Sequence, residues 1–490
     1  MISKEQQVRN SFLYLAPIAV ANLIPLLTFP ILTRVLTKED FGLWALAQVY
    51  ALVVSGLANF GLTVGYERNF FEYRDPKRGA QLLYSTLAFV LSAFAVFLVL
   101  TFVFRVSFAQ WIIGDGQYGD LLFWTFTATG TMSLKTYCLT YFKNREDAKP
   151  FIWYTIGESI LVAAFTLTLV VYFRTGVLGL VWGQLLASTL VFSILAINFL
   201  RMFPLSLNWP ILKESLKLSV PLTPRIFLGV IGNQFDKYMI GLLSSIGGVG
   251  IYSIGQRVAN IVFTFMTALQ NVFAPQVYQR MFDHGEQGRS SIGNYLTPFA
   301  YVSVAAALLI ALFSEEVIFV LTPEPFWSAT DVVILLSMFY GSLFFGKQPQ
   351  LIFAKKTYVT SLLTLVGIAL NVAINIPFIM AWGTIGAAWG TFVAGILSGV
   401  ISFLVSQHYY RIEWEYRRLS LVYGIFFLSS LLLLLMRHFE VDYLIRLASK
   451  GMILALYVYL GVKLNVLSTE NLSLVRNLAR LRGRTILEKG

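Results

Sequence analysis

The sequence predicts an all-α polytopic membrane protein of about fourteen transmembrane helices, and three observations carry that reading. The 490 residues are 57% hydrophobic and only 13% charged, about half the charged share of an ordinary soluble chain, with a mean hydropathy of +0.71. Apolar stretches of about twenty residues, the length that crosses a bilayer, recur along the whole chain. Basic residues are sorted into alternate links between those stretches. Together these features exclude a disordered chain, a coiled coil and nearly every soluble enzyme.

In order, the apolar windows fall near 11–33, 41–64, 80–104, 120–142, 150–173, 177–200 and 215–243. They continue near 249–277, 293–314, 329–353, 358–380, 384–406, 419–436 and 442–462. The first follows ten polar residues, is too long for the apolar core of a signal peptide and has no small-residue cleavage pattern, so it is expected to remain as a span. The seventh, tenth and fourteenth are the least apolar. The longest links, near 105–119, 201–214 and 315–328, have no room for a soluble domain.

Charge orients the bundle. With the N-terminus cytoplasmic, the inside segments collect 26 of the 37 Lys and Arg residues, among them Arg68, Lys77, Lys143, Arg201, Lys213, Arg280, Lys356 and Arg417. The outside segments hold Arg34, Lys38, Arg105, Arg174 and Arg437, while Arg446 and Lys450 enter the last helix. This is the positive-inside pattern, and an even helix count leaves both termini cytoplasmic. The net charge of +12 is therefore topology, and its dispersal over many short links is not a nucleic-acid surface.

The chain also repeats itself. Residues 176–183 read GVLGLVWG and residues 383–390 read GTIGAAWG, so Gly176, Gly179, Trp182 and Gly183 recur 207 positions later. Gly42 and Gln48 recur as Gly250 and Gln256 at an offset of 208. Offsets this consistent predict a duplicated six-helix unit, 1–205 and 206–412, followed by two additional helices over 413–463 and a basic tail, 464–490. Six is even, so the copies are parallel, related by a pseudo-two-fold axis along the membrane normal, as in one class of transporters whose sites lie between the halves. The GxxxG pairs Gly179/Gly183 and Gly386/Gly390 are expected to pack helices closely.

Polar and charged residues inside the spans mark the candidate site. Pro17 and Pro25 in the first helix, and Pro221 and Pro224 in the seventh, remove helix hydrogen bonds at corresponding places and are candidate hinges. Arg225, Gly229, Gly232 and Asp236 share one face of helix seven, with Lys237 about 100° away. Helix eight carries Arg257, Asn260, Thr264, Thr267 and Asn271; helix two carries Gln48, Ser55, Asn59 and Thr63. Lipid cannot satisfy such faces, so they should line a shared cavity. Lys135, Arg225, Lys237 and Arg257 are deep cations, opposed by Glu158 and Asp236. Four unpaired cations would cost about 10–14 kcal/mol at about 2.5–3.5 each, and two acids neutralise only two. The surplus, flanked by Arg34 and Arg68 at helix ends, fits a hydrated cavity for an anionic ligand.

Other features carry no chemistry. Cys138 is the only cysteine, so no intramolecular disulfide forms and no cysteine-based metal site is expected. Residues 341–348, GSLFFGKQ, imitate a phosphate loop but end an apolar helix and lack the final hydroxyl residue. The three histidines stand far apart. No metal, cofactor or nucleophile–base set is expected, and no enzyme activity. In the tail, Leu474, Val475, Leu478 and Leu481 oppose Arg476, Arg480 and Arg484, a pattern suited to anionic lipids at the cytoplasmic face.

The stretch PILTRVLTKEDFGLWALAQVYALVVSGLANFGL, residues 30–62, resembles the opening of the Wzx polysaccharide flippases. These belong to the multidrug/oligosaccharidyl-lipid/polysaccharide exporter superfamily. Pro30, Arg34, Leu36, Phe41-Gly42 and Asn59-Phe60-Gly61-Leu62 carry the resemblance, with GxxGxxWG in each half. It implies a flippase of the bacterial inner membrane that moves undecaprenyl-diphosphate-linked oligosaccharide, such as an O-antigen repeat unit, to the outer leaflet by alternating access. Other polysaccharide-assembly membrane proteins would then be partners. The cationic surplus would hold the diphosphate, and Glu158 and Asp236 would be coupling-ion sites or ion-pair partners. A MATE-type cation-coupled drug exporter and a lipid II flippase are the alternatives on the same fold.

Overall fold

A computed structural model describes residues 20–466 apart from 21, 22, 26, 74, 146, 286, 287, 348 and 465, without the side chains at 225, 284, 346 and 347. Among the described residues every regular element is helical: α1 (Leu23–Val35), α2 (Lys38–Ala58), α3 (Leu62–Glu72), α4 (Pro76–Val103), α5 (Arg105–Ile112), α6 (Gly119–Asn144), α7 (Ala148–Leu167), α8 (Val177–Met202) and α9 (Trp209–Ser219). They continue as α10 (Thr223–Leu243), α11 (Ile246–His284), α12 (Gly288–Leu312), α13 (Ser314–Leu321), α14 (Ala329–Ser342), α15 (Gln350–Phe353), α16 (Thr357–Tyr409), α17 (Tyr416–His438) and α18 (Tyr443–Lys463). Ten stretches among the described residues are long and apolar enough to cross a membrane. Their outer faces are apolar too. α4 exposes Leu91, Val96, Val99 and Val103, and α18 exposes Leu444, Met452 and Tyr459. In water such surfaces would cost about 25 cal/mol per Å²; in lipid they cost nothing. The protein is a multi-pass, all-helical membrane protein.

Local chemistry sets the helix starts. Thr37 and Asp40 form a reciprocal capping box at α2: the Asp40 amide donates to Thr37 Oγ1 at 3.2 Å and the Thr37 amide to Asp40 Oδ2 at 2.9 Å. Asp75 caps α4, whose first residue, Pro76, needs no amide partner.

Several expected spans are not single rods. The window 41–64 is broken after α2, where Phe60 (φ 49°) and Gly61 (φ 65°) take left-handed backbone. The window 215–243 is divided into α9, a 3-10 turn at Val220–Leu222 and α10, with Pro221 in the turn and Pro224 at the start of α10. The two breaks face each other. A Cβ on Gly61 would stand 2.9 Å from the Ser219 carbonyl oxygen and 3.2 Å from Thr223 Oγ1. One turn on, a Cβ on Gly65 would overlap Ser219 Oγ, and Asn69 Nδ2 donates to Ser215 Oγ at 2.8 Å. The windows 358–380 and 384–406 are the two arms of α16, two helices separated at Gly383, whose backbone is not helical; across that joint Asn375 Nδ2 donates to Thr391 Oγ1 at 3.5 Å.

The chain forms two compact units. One holds residues up to Ser253 together with Phe319–Trp327; the other holds Ile254–Ile318 and everything from Ser328 onward. In the first, α2 buries Phe41, Leu46, Ala47, Ala51 and Ala58, and Phe94 stacks on Phe126 with ring centroids 5.5 Å apart. In the second, Phe273, Ile292, Leu296, Phe344 and Trp414 form a buried cluster.

The repeated glycines do matching work. Gly176 (φ 62°, ψ −143°) and Gly383 (φ 59°, ψ −131°) share a backbone conformation open only to glycine. Seven residues on, Gly183 packs against Thr166 and Gly390 against Asn375, each with no room for a Cβ. Gly42 and Gly250 also answer each other. A Cβ on Gly42 would overlap the Ile246 carbonyl oxygen, and one on Gly250 would overlap that of Lys38. Ile246 and Lys38 differ by the same 208 positions as the two glycines.

Candidate functional site

Within the first unit, the structure pairs one deep cation with one deep acid. Lys135 on α6 is an ion-pair partner of Glu158 on α7, their side chains only 6% and 12% exposed. Each supplies what the other's burial requires, since an isolated charge at that depth is strongly disfavoured. Asp236 on α10 is buried and accepts a hydrogen bond from the Tyr252 hydroxyl on α11 at 2.8 Å. Lys237, half-buried on the next residue, donates to Gln234 Oε1 at 3.1 Å. Arg225 lies on α10, but its side chain is outside the described residues.

The two flanking arginines are exposed. Arg34 donates to the Pro30 carbonyl at 2.5 Å. Arg68 is an ion-pair partner of Glu72, stands 3.9 Å from Glu214, and donates to Asn69 Oδ1 at 2.8 Å. Among the candidate hinges, Pro25 is exposed and its carbonyl takes the Thr28 hydroxyl at 3.0 Å. Pro221 and Pro224 are exposed at the α9–α10 joint. Pro17 and the tail 467–490 are outside the described residues.

The polar stripe of helix two becomes a hydrogen-bonded surface. Asn59, the C-cap of α2, accepts from the Tyr137 hydroxyl at 2.6 Å and donates to Ser133 Oγ at 3.3 Å. Gln48 Nε2 donates to Gln184 Oε1 on α8 at 3.4 Å, and Gln184 Nε2 meets Met132 Sδ at 3.6 Å. Sequence reasoning named Gln48 and Asn59 but missed Gln184, Ser133 and Tyr137. The signal for Gln184 was its place in an apolar helix directly after Gly183. In the second unit, Arg257 is half-buried on α11, and Asn260, Thr264 and Asn271 are exposed along the same helix. Chemically, amides and hydroxyls of this kind suit sugar hydroxyls, and guanidinium and ammonium groups suit phosphate.

A second charged centre, not foreseen as one, lies in the second unit. Glu315 on α13 is fully buried. Arg446 Nη2 reaches its Oε1 at 2.7 Å, Arg437 Nη1 the same oxygen at 3.2 Å, and Lys450 Nζ its Oε2 at 3.2 Å. Lys450 also meets Glu316 at 2.6 Å, and Arg437 meets Asp331 at 2.7 Å. Three acids and three cations thus tie α17 and α18 to α13 and α14. Burial acts to raise the Glu315 carboxyl. The Arg446 hydrogen bond, with Lys450 and Arg437, outweighs it and holds the group below its ordinary range.

Comparison with known proteins places this geometry. The chain is 27% identical over 188 residues to a protein named as the low-salt glycan biosynthesis flippase Agl15 of Haloferax volcanii, covering 36% of this chain and 39% of that one. It is 24% identical over 159 residues to a protein named as an O-antigen transporter of Escherichia coli K12, covering 32% and 36%. The chain thus spans under two fifths of either relative. By fold it is similar to the lipid II flippase MurJ in an inward closed conformation, with a TM-score of 0.70 at 14% identity over 93% of this chain and 99% of that one. An inward-facing multidrug resistance MATE family transporter gives 0.63 at 15% identity, over 84% and 98%. The family described as polysaccharide biosynthesis protein matches residues 7–279, which is more than half of the chain and includes the motif at 30–62. The chain belongs to that family, as a Wzx-type member of the multidrug/oligosaccharidyl-lipid/polysaccharide exporter superfamily.

Proposed function

We propose that this protein is a flippase carrying undecaprenyl-diphosphate-linked oligosaccharide from the cytoplasmic to the outer leaflet of a bacterial inner membrane. In this reading it has fourteen spans with both termini cytoplasmic. Two six-helix lobes, 1–205 and 206–412, alternate access around a cationic cavity, and 413–463 adds two helices. Lys237 and Arg257, with Arg225, receive the diphosphate. Gln48, Asn59, Asn260, Thr264 and Asn271 meet the sugars. Lys135, being paired with Glu158, contributes less than its depth implies. The transport needs no bond-making chemistry.

The observation that carries the reading is family membership in a chain whose α10 and α11 hold half-buried cations within apolar spans. A MATE-type exporter of cationic compounds would call for a surplus of carboxylates instead. The test is surface-glycan export by Arg257→Ala and Lys237→Ala, singly and together, at matched membrane levels. Loss of export supports the reading; full export by the double variant overturns it.

A further inference from the structure

We propose that a groove between α4 and the start of α9 holds one acyl chain of an anionic phospholipid. The groove has a volume of about 430 Å³ and is walled by Ser85, Ala88, Phe89 and Ser92 of α4 on one side and by Leu207, Asn208, Trp209 and Leu212 on the other. Its α4 wall is one helical face, 85, 88, 89 and 92, on which the small side chains of Ser85, Ala88 and Ser92 leave space beside Phe89.

Ser85, Ser92 and Asn208, the polar side chains between the apolar walls, are already hydrogen-bonded. Ser85 Oγ accepts from the Asn208 amide at 2.8 Å, and Ser92 Oγ donates to the Ala88 carbonyl at 2.8 Å. Asn208 itself caps α9 through Ile211 and donates to Gln81 at 3.3 Å. What remains for a ligand is apolar surface, and nothing in the groove asks for a sugar or a nucleotide.

Charge selects the kind of lipid. α9 is amphipathic: Ile211, Leu212, Ser215 and Ser219 are buried, whereas Trp209, Lys213 and Lys217 are exposed at every fourth position along one line. The one acid of this helix, Glu214, is engaged by Tyr73 at 2.5 Å and lies 3.9 Å from Arg68. Leu205 and Leu207, both more than 60% exposed, continue the apolar rim. An amphipathic helix with an aromatic residue and exposed lysines beside an apolar groove is suited to an anionic headgroup with its chain alongside. The site stands apart from the transport reading; only the choice of leaflet rests on the proposed orientation.

The test uses the full-length protein in vesicles containing brominated-chain phosphatidylglycerol or brominated-chain phosphatidylcholine. The Trp209 contribution is isolated by difference from Trp209→Phe. Trp209 is expected to be quenched at several-fold lower mole fraction of the anionic lipid. Ala88→Phe, which fills the groove, should abolish that selective quenching, as should Ser92→Leu at its more exposed wall. Lys213→Gln/Lys217→Gln should remove the preference for the anionic lipid while leaving quenching itself. Equal quenching by both lipids, or quenching unchanged in both filled-groove variants, would reduce the groove to ordinary boundary contact and overturn the proposal. Displacement by a polyprenyl phosphate but not by phosphatidylglycerol would overturn it too, giving the groove to a different chain.

Discussion

Lys135 and Glu158 show how a charge survives inside an apolar bundle. Neither is solvated, so each depends on the other, and removal of one partner leaves a bare charge. Lys135→Met is expected to destabilise the protein by about 3–5 kcal/mol, while Lys135→Met/Glu158→Leu should recover most of that loss. Thermal unfolding of the purified variants in detergent measures both. If the double variant is stable yet no longer exports glycan, the pair has a role beyond stability. The Glu315 centre makes a pH prediction. Its carboxyl is held below the ordinary value, so the stability it contributes is present above that ordinary value and is lost as pH falls through the depressed one. The wild-type unfolding temperature should therefore hold down to pH about 4.5, the ordinary Glu range, and drop below it. Glu315→Gln should start lower and show a flatter acid limb. Identical acid limbs would assign the drop to other groups. The Lys135–Glu158 pair was half legible in the sequence, because both are deep charges on neighbouring windows. The Glu315 centre was not, since its cations come from more than a hundred positions away, and Arg437, Arg446 and Lys450 looked like ordinary residues at span ends.

At the scale of the element, the broken helices matter most. The apolar run through Ala58, Asn59, Phe60, Gly61 and Leu62 has no hydropathy dip, so counting windows gives one rod where the backbone makes two. What breaks it is conformational. Gly61 takes a left-handed angle that costs other residues about 1–2 kcal/mol, and it does so where the Ser219 carbonyl leaves no room for a side chain. Gly61→Ala should lower stability by at least that amount, whereas Gly56→Ala, which meets only Val230 at 3.8 Å, should be near neutral or slightly stabilising. Equal effects in a thermal unfolding series would mean that the break is not held by this contact. By contrast, the break at α9–α10 was partly legible, because Pro221 and Pro224 are visible in the sequence. The long apolar rods were the most legible elements, since lipid demands an unbroken apolar surface of fixed length and few sequences satisfy that by chance.

For the whole molecule, the claim with the widest consequence is orientation, because it decides which leaflet the cations of α9 and the proposed substrate meet first. The argument is charge sorting. Lys77, Lys149 and Lys213 lie in links that collect basic residues, whereas Gly116 and Glu440 lie in links that do not. The protein offers a convenient background for a test, since its single thiol, Cys138, is 1% exposed in the packed α6 and should resist aqueous reagents. Single cysteines at 116 and 440 are expected to react with a membrane-impermeant maleimide in intact cells. Those at 77, 149 and 213 should react only after the membrane is opened. The reverse pattern would invert the protein, put Lys213 and Lys217 at the outer leaflet, and require the proposed transport to begin on the other side. A mixed pattern would change the parity of the spans between labelled sites from the one expected here, which would break the proposed even-numbered repeat and with it the proposed parallel relation of its halves. The glycines bear on that relation independently. Gly42 and Gly250 make matching close contacts with carbonyl oxygens 208 positions apart, the geometry that the proposed two-fold relation of like elements would give. Gly42→Val and Gly250→Val should therefore be similarly damaging, each meeting a backbone carbonyl oxygen, that of Ile246 and that of Lys38 respectively. A large difference between them in membrane yield or unfolding temperature would argue against that symmetry even if the labelling pattern came out as expected.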